Sequence, residues 1–423
     1  MIYISVQRRL IIKGGRRIEG ELSVQGAKNS ALPILAAAVL CKGQSEICNC
    51  PRLSDCDAAC RILSSLGCTC RREGSTVCVN ASAVCTSDIS EQLMREMRSS
   101  IIFMGALLGR TGQCRMSFPG GCEIGSRPID FHLDAFRKMG TRISEEHGYI
   151  VCKAAKLRGA KISFPVPSVG ATENVMLAAV LAEGVTEIHN AAREPEIRDL
   201  AGFLARCGAR IEGAGTGTVR IEGVKSLSGC AYTVMPDRIA AATYLCCGAI
   251  TRGEILLTNA DPASLGLVVP VLEQTGCSIY SFGKGSVYLN ARKTLKAPGT
   301  IKTAPYPGFP TDAQPPLMAL CATLPGTTMF VETIFENRYR HVCELKRLGA
   351  KINVEGQVAV VEGVNRLSGA ELEACDLRGG AAMVTAALFA EGTTKISKLC
   401  YINRGYEDIE GCLRSVGADI RCV

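Results

Sequence analysis

The sequence has little aromatic or basic clustering. Aromatic residues make up 5% of the 423 residues, tryptophan is absent, and there are only four histidines. Lysine and arginine are spread along the chain, with no basic block and no basic stripe interleaved with aromatics, so we do not expect nucleic-acid binding. The net charge of +8 is mild and suits small anionic substrates.

Long apolar runs are also missing. The longest, Ser30 to Cys41, is too short to span a bilayer, and Met1 to Arg9 lacks the apolar segment of a signal peptide. We therefore expect a cytoplasmic protein without membrane association. With 47% hydrophobic and 21% charged residues, the chain is typical of a globular protein of two or more domains.

Cysteine, by contrast, is abundant, with 23 residues. A disulfide framework is typical of small secreted domains, and nothing in the sequence indicates one here. Residues 48–70 hold six cysteines, but they form no recurring CxxC pairs and no histidine lies among them, so a metal site is not favoured. We predict that most cysteines act as small apolar core residues.

A glycine recurs about every 70 residues, which indicates a repeated supersecondary unit. Each of these glycines follows an amphipathic helical pattern and precedes a short strand pattern, as expected where a helix stops at glycine. The six positions are Gly67, Gly140, Gly208, Gly276, Gly349 and Gly417. A second apolar helix and a strand lie upstream in each unit, which predicts an α/β protein of two similar three-unit domains separated near residues 228–235.

Cations cluster at the predicted helix starts. Helix N-termini carry a positive dipole, so a cation there is unfavourable for the helix itself and suggests an anionic ligand. Ordinary capping by Asp or Ser explains any single site, but the set favours a substrate with several phosphates or carboxylates. The cations are Lys28, Arg98, Arg127, Arg238, Arg338, Arg378 and Arg404.

One cysteine stands apart from the others. Cys122 lies among three glycines in residues 119–128, with Arg127 five residues on. Glycines let a ligand approach the backbone closely, and an arginine favours the thiolate. From local chemistry alone, a reactive thiol and a structural one are equally good interpretations.

Seven segments together resemble the enolpyruvyl transferases: residues 26–33, 119–128, 167–174, 192–197, 305–314, 334–338 and 403–406, in family order. The resemblance implies two inside-out α/β barrel domains, each of three βαβαββ-type units. We expect one domain over residues 28–235 and the other over residues 1–27 plus 236–423, with the active site in the cleft between them.

The resemblance also implies a reaction. The enolpyruvyl group of phosphoenolpyruvate would pass to the 3′-hydroxyl of UDP-N-acetylglucosamine through a tetrahedral ketal, with release of phosphate and without a metal or organic cofactor. This is the first committed step of peptidoglycan synthesis, which links the protein to the cell wall, cell shape and cell division, and makes it a fosfomycin target. Both partners are small molecules, and the sequence leaves the oligomeric state open.

Residue roles follow from the same resemblance. Lys28, Arg98, Arg127 and Arg404 would hold the phosphate and carboxylate of phosphoenolpyruvate. Asp312 would take the proton of the sugar hydroxyl, with helix N-capping as its alternative role, and Cys122 would protonate the vinyl carbon or help product leave. Asp376 and Arg378 would orient the cysteine loop or phosphate region. The nucleotide sugar would be positioned by Asn29, Arg127, Pro128, Asp130, Ser168, Val169, Gly170, Ile334 and Arg338.

The chain departs from the family pattern at a few positions. Ala240–Ala242 stand where an acidic residue is usual, Tyr401 replaces a frequent His, and Asn403 replaces a frequent Asp. Glu123, directly after Cys122, is expected to raise the thiol pKa. Two other functions stay open: transfer to shikimate 3-phosphate, and a catalytically weak paralogue that binds a UDP-sugar and regulates.

Overall fold

The computed structural model describes residues 8–118, 129–283 and 285–423. These residues divide into two compact units. The central unit contains residues 26–118 and 129–235, and the terminal unit contains residues 8–25 and 236–423. Each unit is built around a hydrophobic core of its own.

The described residues form thirteen α-helices and five short 3-10 helices. The α-helices are α1 Lys28–Ala37, α2 Ser54–Ser65, α3 Glu91–Glu96, α4 Phe103–Thr111, α5 Asp130–Lys138, α6 Val169–Ala179, α7 Pro195–Arg206, α8 Arg238–Ile250, α9 Val268–Gln274, α10 Gln314–Cys321, α11 Val342–Arg347, α12 Leu377–Phe389 and α13 Ile409–Ser415. The 3-10 helices are Ala38–Leu40, Arg98–Ile102, Pro262–Leu265, Arg338–His341 and Ile402–Arg404.

The strands of the described residues are, in chain order, β1 Leu10–Lys13, β2 Glu19–Ser23, β3 Cys41–Lys42, β4 Gln44–Cys48, β5 Thr69–Glu73, β6 Thr76–Asn80, β7 Asp88–Ile89, β8 Gln113–Ser117, β9 Arg142–Glu146, β10 Tyr149–Lys153, β11 Lys161–Ser163, β12 Val185–His189, β13 Arg210–Glu212, β14 Thr218–Glu222, β15 Leu227–Ser228, β16 Ala231–Thr233, β17 Glu254–Thr258, β18 Ser278–Phe282, β19 Ser286–Asn290, β20 Thr300–Lys302, β21 Thr327–Val331, β22 Lys351–Glu355, β23 Val358–Glu362, β24 Glu371–Glu373, β25 Thr393–Ser397 and β26 Asp419–Cys422.

Six four-stranded sheets in the described residues share one topology. In the sheet β11-β12-β14-β13, the first pair is parallel and the other two pairs are antiparallel. The same pattern recurs in β7-β8-β10-β9, β16-β4-β6-β5, β20-β21-β23-β22, β24-β25-β1-β26 and β2-β17-β19-β18. This repetition, three sheets to a unit, confirms the predicted α/β fold of repeated supersecondary units.

The terminal unit uses strands from both ends of the chain. Strand β1 lies between β25 and β26, with Leu10 opposite both Ile396 and Cys422. Strand β2 lies parallel to β17 at the edge of another sheet. Two of the three sheets of this unit are therefore completed by residues that precede the central unit in the sequence.

Helices without a polar face occupy the centre of each unit. All thirteen residues of α8 are buried, and α8, α10 and α12 pack against one another in the terminal unit. Each of these helices also packs on a sheet, whose strands alternate buried and exposed residues, as in β21. In the central unit, α4 packs in the same way against α1 and α6. A helix that is apolar all round needs such a buried place.

The recurring glycines end helices as predicted. All six have φ between 93° and 106°, a conformation that favours glycine, and each joins a helix to a strand. The next residue is buried whether it is cysteine or alanine: Cys68 is 6% exposed, Cys277 5% and Ala350 7%. Cysteine therefore stands in for a small core residue at this position, as the sequence predicted.

Three further observations concern the described part of the chain. None of its cysteines forms a disulfide. It contains no group of three or more His, Cys, Asp or Glu side chains arranged to hold a metal ion. Within those ranges, no helix is long and apolar enough to cross a membrane.

Candidate active site

A carboxylate held by two buried arginines marks the terminal unit. Arg338 Nη2 lies 3.0 Å from Asp312 Oδ1, and Arg378 Nε lies 3.2 Å from Asp312 Oδ2. The two guanidinium side chains are 1% and 2% exposed, whereas the Asp312 side chain is 28% exposed. Both oxygens of a partly accessible carboxylate therefore face a buried positive charge.

Asp312 does not cap a helix, so its predicted alternative role is wrong. Helix α10 begins at Gln314 after Ala313, which makes no side-chain cap hydrogen bond. Arg338 instead fixes the backbone just before Asp312, because its Nε and Nη2 donate to the Thr311 carbonyl at 3.1 and 2.8 Å. Residues 311 and 312 are thus held by side-chain contacts rather than by helical structure.

Asp376 positions Arg378 by capping the helix that carries it. The Oδ1 atom of Asp376 accepts hydrogen bonds from the backbone N–H groups of Arg378 (3.0 Å) and Gly379 (2.9 Å) at the start of α12. Arg378 Nη1 also donates to the Tyr406 hydroxyl at 3.3 Å, and that hydroxyl lies 2.8 Å from Thr243 Oγ1. The guanidinium is therefore fixed from two sides before any ligand binds.

A buried glutamate that the sequence analysis missed connects Ile334 to the same region. Glu332 is 1% exposed, and its Oε1 accepts from the backbone N–H groups of Ile334 (2.8 Å) and Phe335 (3.2 Å). Its Oε2 accepts from Thr311 Oγ1 at 3.0 Å. The available signal was a single acidic residue directly after the apolar end of β21.

Two predicted helix starts in this unit behave differently. Arg338 is the first residue of a 3-10 helix that leads into α11, as predicted for residues 336–338. Arg404 ends a 3-10 helix instead of opening one, and α13 begins later, at Ile409, with Asp408 as its cap. The predicted helix start at residues 403–405 is therefore wrong. Arg404 is half-buried beside the buried Tyr406.

In the central unit, Lys28 opens α1 and is buried. Its Nζ lies 2.7 Å from Asp55 Oδ2, and the two side chains are 10% and 2% exposed. Asp55 lies in the first turn of α2, where a carboxylate also interacts favourably with the helix dipole. Lys28 could be predicted from the sequence, whereas its partner Asp55 could not.

Ser168 caps α6, and a buried histidine packs against the start of that helix. Ser168 Oγ accepts from Ala171 N at 3.3 Å. A Cβ atom on Gly170 would lie 3.4 Å from the His132 ring, in ordinary contact. His132 Nδ1 lies 2.8 Å from Asn174 Nδ2, and burial lowers the His132 pKa to about 4. His132 is thus a packing and hydrogen-bonding residue.

The other predicted residues of this unit fall into two groups. Asn29 in α1 and Asp130 at the start of α5 are exposed, and Val169 is half-buried. Arg98 is the first residue of its 3-10 helix. Cys122, Arg127 and Pro128 lie outside the described residues, as does Glu123.

Chemically, these residues provide fixed cations and, in Asp312, a partly accessible carboxylate held between two of them. Arginine and lysine in rigid positions suit phosphate and carboxylate groups. A half-exposed carboxylate such as that of Asp312 suits proton transfer from a bound hydroxyl. The terminal unit therefore contains a fixed carboxylate that can accept a proton, and the central unit contains a buried ammonium at a helix start.

Comparisons with known proteins agree on one family. The family model for EPSP synthase (3-phosphoshikimate 1-carboxyvinyltransferase) matches residues 12–413. A protein of Caldanaerobacter subterraneus named UDP-N-acetylglucosamine 1-carboxyvinyltransferase 2 is 52% identical, over 97% of this chain and 98% of its own. A Trichlorobacter lovleyi protein named UDP-N-acetylglucosamine 1-carboxyvinyltransferase is 48% identical, over 98% of this chain and 99% of its own.

Solved structures show the same fold. The enolpyruvyl transferase NikO from Streptomyces tendae matches with a TM-score of 0.89 and 27% identity, over 99% of each chain. EPSP synthase from Acinetobacter baumannii matches with a TM-score of 0.77 at 17% identity, a likeness of fold alone. From the full-length family match and the relatives of about 50% identity, the chain belongs to the enolpyruvyl transferases and, among them, to the UDP-N-acetylglucosamine 1-carboxyvinyltransferase family.

Proposed function

We propose that this protein transfers the enolpyruvyl group of phosphoenolpyruvate to the 3′-hydroxyl of UDP-N-acetylglucosamine, with release of phosphate. The observation that carries the proposal is the pairing of Asp312 with Arg338 and Arg378 in a chain that is 45–52% identical to relatives named for this activity. The reaction is a step of peptidoglycan synthesis, and through it we connect the protein to the cell wall, cell shape and cell division.

The chemistry needs a base, an acid and an anion site. Asp312 accepts the proton of the 3′-hydroxyl while the hydroxyl oxygen bonds to C2 of phosphoenolpyruvate. Carbon C3 of phosphoenolpyruvate gains a proton from Cys122. The resulting tetrahedral ketal loses a C3 proton and the C2–O bond to phosphate, which restores the double bond. Each substrate atom is then accounted for in two products, enolpyruvyl-UDP-N-acetylglucosamine and inorganic phosphate.

Cationic side chains form the proposed phosphoenolpyruvate site. We assign Lys28, Arg98, Arg127 and Arg404 to its phosphate and carboxylate, since these groups need several positive partners at once. Lys28 is already held by Asp55, so its ammonium enters the reaction preorganised. Asp376 and Arg378 support this region by fixing Asp312.

The nucleotide sugar takes the remaining positions. We assign Ser168, Val169 and Gly170 to it because a capped helix start offers backbone N–H groups to a phosphate. Ile334 is linked to Thr311, the residue before Asp312, because Glu332 accepts hydrogen bonds from both Ile334 N and Thr311 Oγ1. Arg338 contacts the same residue directly, because its Nε donates to the Thr311 carbonyl oxygen. Asn29, Pro128 and Asp130 complete the proposed set.

Phosphate release separates this function from the alternatives. We expect release from phosphoenolpyruvate with UDP-N-acetylglucosamine and none with shikimate 3-phosphate. Asp312→Asn should lower kcat by roughly 10²- to 10⁴-fold because the base is lost. Asp88→Asn, which breaks an exposed ion pair with Arg115, is the matched control and should keep full activity. No release with the nucleotide sugar would contradict the proposal, and would favour a regulatory UDP-sugar-binding role if binding persists.

A reactive Cys122 makes a second prediction. Fosfomycin should add covalently to Cys122, with the adduct found by peptide mass spectrometry, and Cys122→Ser should remove it. Because a neighbouring carboxylate disfavours the thiolate, Glu123→Gln should label faster at fixed pH. An adduct on another cysteine, or none, would show that Cys122 is not the reactive thiol.

A further inference from the structure

Three cysteines meet around the small two-stranded sheet of the central unit. Cys41 lies in β3, Cys207 follows α7, and Cys230 precedes β16. Strand β15 lies parallel to β3, with Leu227 opposite Cys41. Interaction between the Cys41 and Cys207 thiols lowers the pKa of Cys41 and raises that of Cys207, and burial raises the pKa of Cys230. None of these residues belongs to the proposed active site.

Cys207 and Cys230 are already in contact. Their sulfur atoms lie 3.4 Å apart, and the backbone next to them is fixed by a 2.9 Å hydrogen bond from Ser228 N to Cys207 O. A disulfide bond of about 2.05 Å needs the two sulfurs to approach by roughly 1.4 Å.

We propose that Cys207 and Cys230 are a redox-active pair that forms a disulfide when the protein meets a peroxide. Cys230 is half-buried, whereas Cys207 is 3% exposed and Cys41 is fully buried. Cys230 is therefore the thiol that an oxidant reaches, and Cys207 is the resolving thiol next to it.

The reaction is balanced with hydrogen peroxide as the oxidant. The Cys230 sulfur attacks the O–O bond, which breaks to give a sulfenic acid and one water. The Cys207 sulfur then attacks the sulfenic sulfur, and the S–O bond breaks to release a second water. Two thiols lose two protons and two electrons, and one peroxide is reduced to two waters.

The bond would tie down the last segment of the central unit. Residues 230–235 are attached to α7 by Asp199, whose Oδ1 accepts from the Tyr232 hydroxyl at 2.7 Å and whose Oδ2 accepts from Met235 N at 3.1 Å. A disulfide at Cys230 adds a covalent link from the end of α7 to the same segment. Oxidation therefore stabilises the point at which the chain leaves this unit.

Peptide mapping under non-reducing conditions tests the proposal. After treatment with hydrogen peroxide and alkylation of free thiols, the full-length protein should yield a peptide pair joined through Cys207 and Cys230, 2 Da lighter than the reduced pair. Dithiothreitol should separate it. The unfolding midpoint of the oxidised protein should rise by about 3 °C or more, because the link constrains the unfolded chain.

Three variants make the result specific. Cys230→Ser should lose both the linked pair and the rise in midpoint, and Cys207→Ala should lose the pair. Cys343→Ser, at an exposed cysteine, should retain both. Separate recovery of alkylated Cys207 and Cys230 after peroxide would overturn the proposal, as would a link from Cys207 to Cys41 or a sulfinic acid on Cys230 without any link.

Discussion

At the level of single residues, the charges of the candidate site are balanced by neighbouring side chains rather than by water. Arg378 is buried and donates hydrogen bonds to both Asp312 and Tyr406. Its positive charge is therefore paired, and two of its guanidinium nitrogens have hydrogen-bond acceptors. A buried ion pair adds little net stability, but removing one partner leaves an uncompensated buried charge. The arginines that position Asp312 are therefore also structural residues.

We predict that Arg378→Met lowers the free energy of unfolding by about 3–5 kcal/mol, because Asp312 and the Tyr406 hydroxyl lose a buried partner. Arg378→Lys should recover only part of this loss, since an ammonium cannot reproduce the guanidinium geometry. Urea unfolding measures both.

Arg414→Met is the control for that comparison, because Arg414 makes an exposed pair with Glu410 on α13. Its cost should be under about 1 kcal/mol. Equal losses for Arg378→Met and Arg414→Met would mean that the buried network contributes nothing beyond a surface pair.

At the scale of secondary-structure elements, the junction at which a helix ends and the next strand begins is the most regular feature of the chain. The six recurring glycines share a positive φ, but they differ in the space around them. A Cβ atom on Gly208 would meet nothing within 4 Å, whereas one on Gly67 would lie 2.5 Å from the Ala83 carbonyl oxygen. The two positions separate backbone strain from steric conflict.

Gly208→Ala should therefore cost about 1–2 kcal/mol from the left-handed backbone alone. Gly67→Ala should cost clearly more, because the backbone around residue 83 must also shift. Thermal unfolding of the two variants beside the parent protein gives the comparison. A larger loss at Gly208 than at Gly67 would show that strain, not space, sets the cost at this joint.

These helix-to-strand junctions also explain how much of the fold could be predicted from the sequence. Glycine stops and apolar periodicity are local signals, so the repeated units were visible in the sequence. Two helix starts were misplaced for local reasons as well. Pro315 and Pro316 fit the first turn of α10, so that helix begins after Asp312, and Asp408 is a better cap for α13 than Arg404.

Contacts between distant segments were not predictable in this way. Asp55, Glu332 and Tyr406 gain their importance only when folding brings them to Lys28, Thr311 and Arg378. The resemblance gave Asp312, Arg338 and Arg378 separate roles, and their mutual contacts depend on three separate elements. The spacing of residues along the sequence does not show which of them become partners in the folded protein.

For the whole molecule, each unit contains one histidine kept neutral by its surroundings. Burial lowers the pKa of His132 in the central unit to about 4, and that of His341 in the terminal unit to about 4 as well. An unfolded histidine binds a proton near pH 6.5, so between about pH 6.5 and 4 the unfolded chain binds more protons than the folded one. These two histidines therefore lower the folding stability as the pH falls through this window.

We predict a loss of up to about 3 kcal/mol for each histidine between pH 7 and pH 4, measured by urea unfolding across that range. His341→Gln should flatten the decline. His147→Asn, at an exposed position, should leave it unchanged. A variant at His341 with the parental pH dependence would show that this ring does not control acid sensitivity.

The placement of β1 and β2 in the terminal unit has a consequence for the order of events on the ribosome. Lys13 pairs with Asp419, so β1 waits for a partner strand that lies about 400 residues later in the chain. At about 5–20 residues per second, the wait is roughly 20–80 s, while all of the described central unit has already emerged. During biosynthesis β1 thus stays without its partner strands, and the nascent chain must be shielded from aggregation until β25 and β26 arrive.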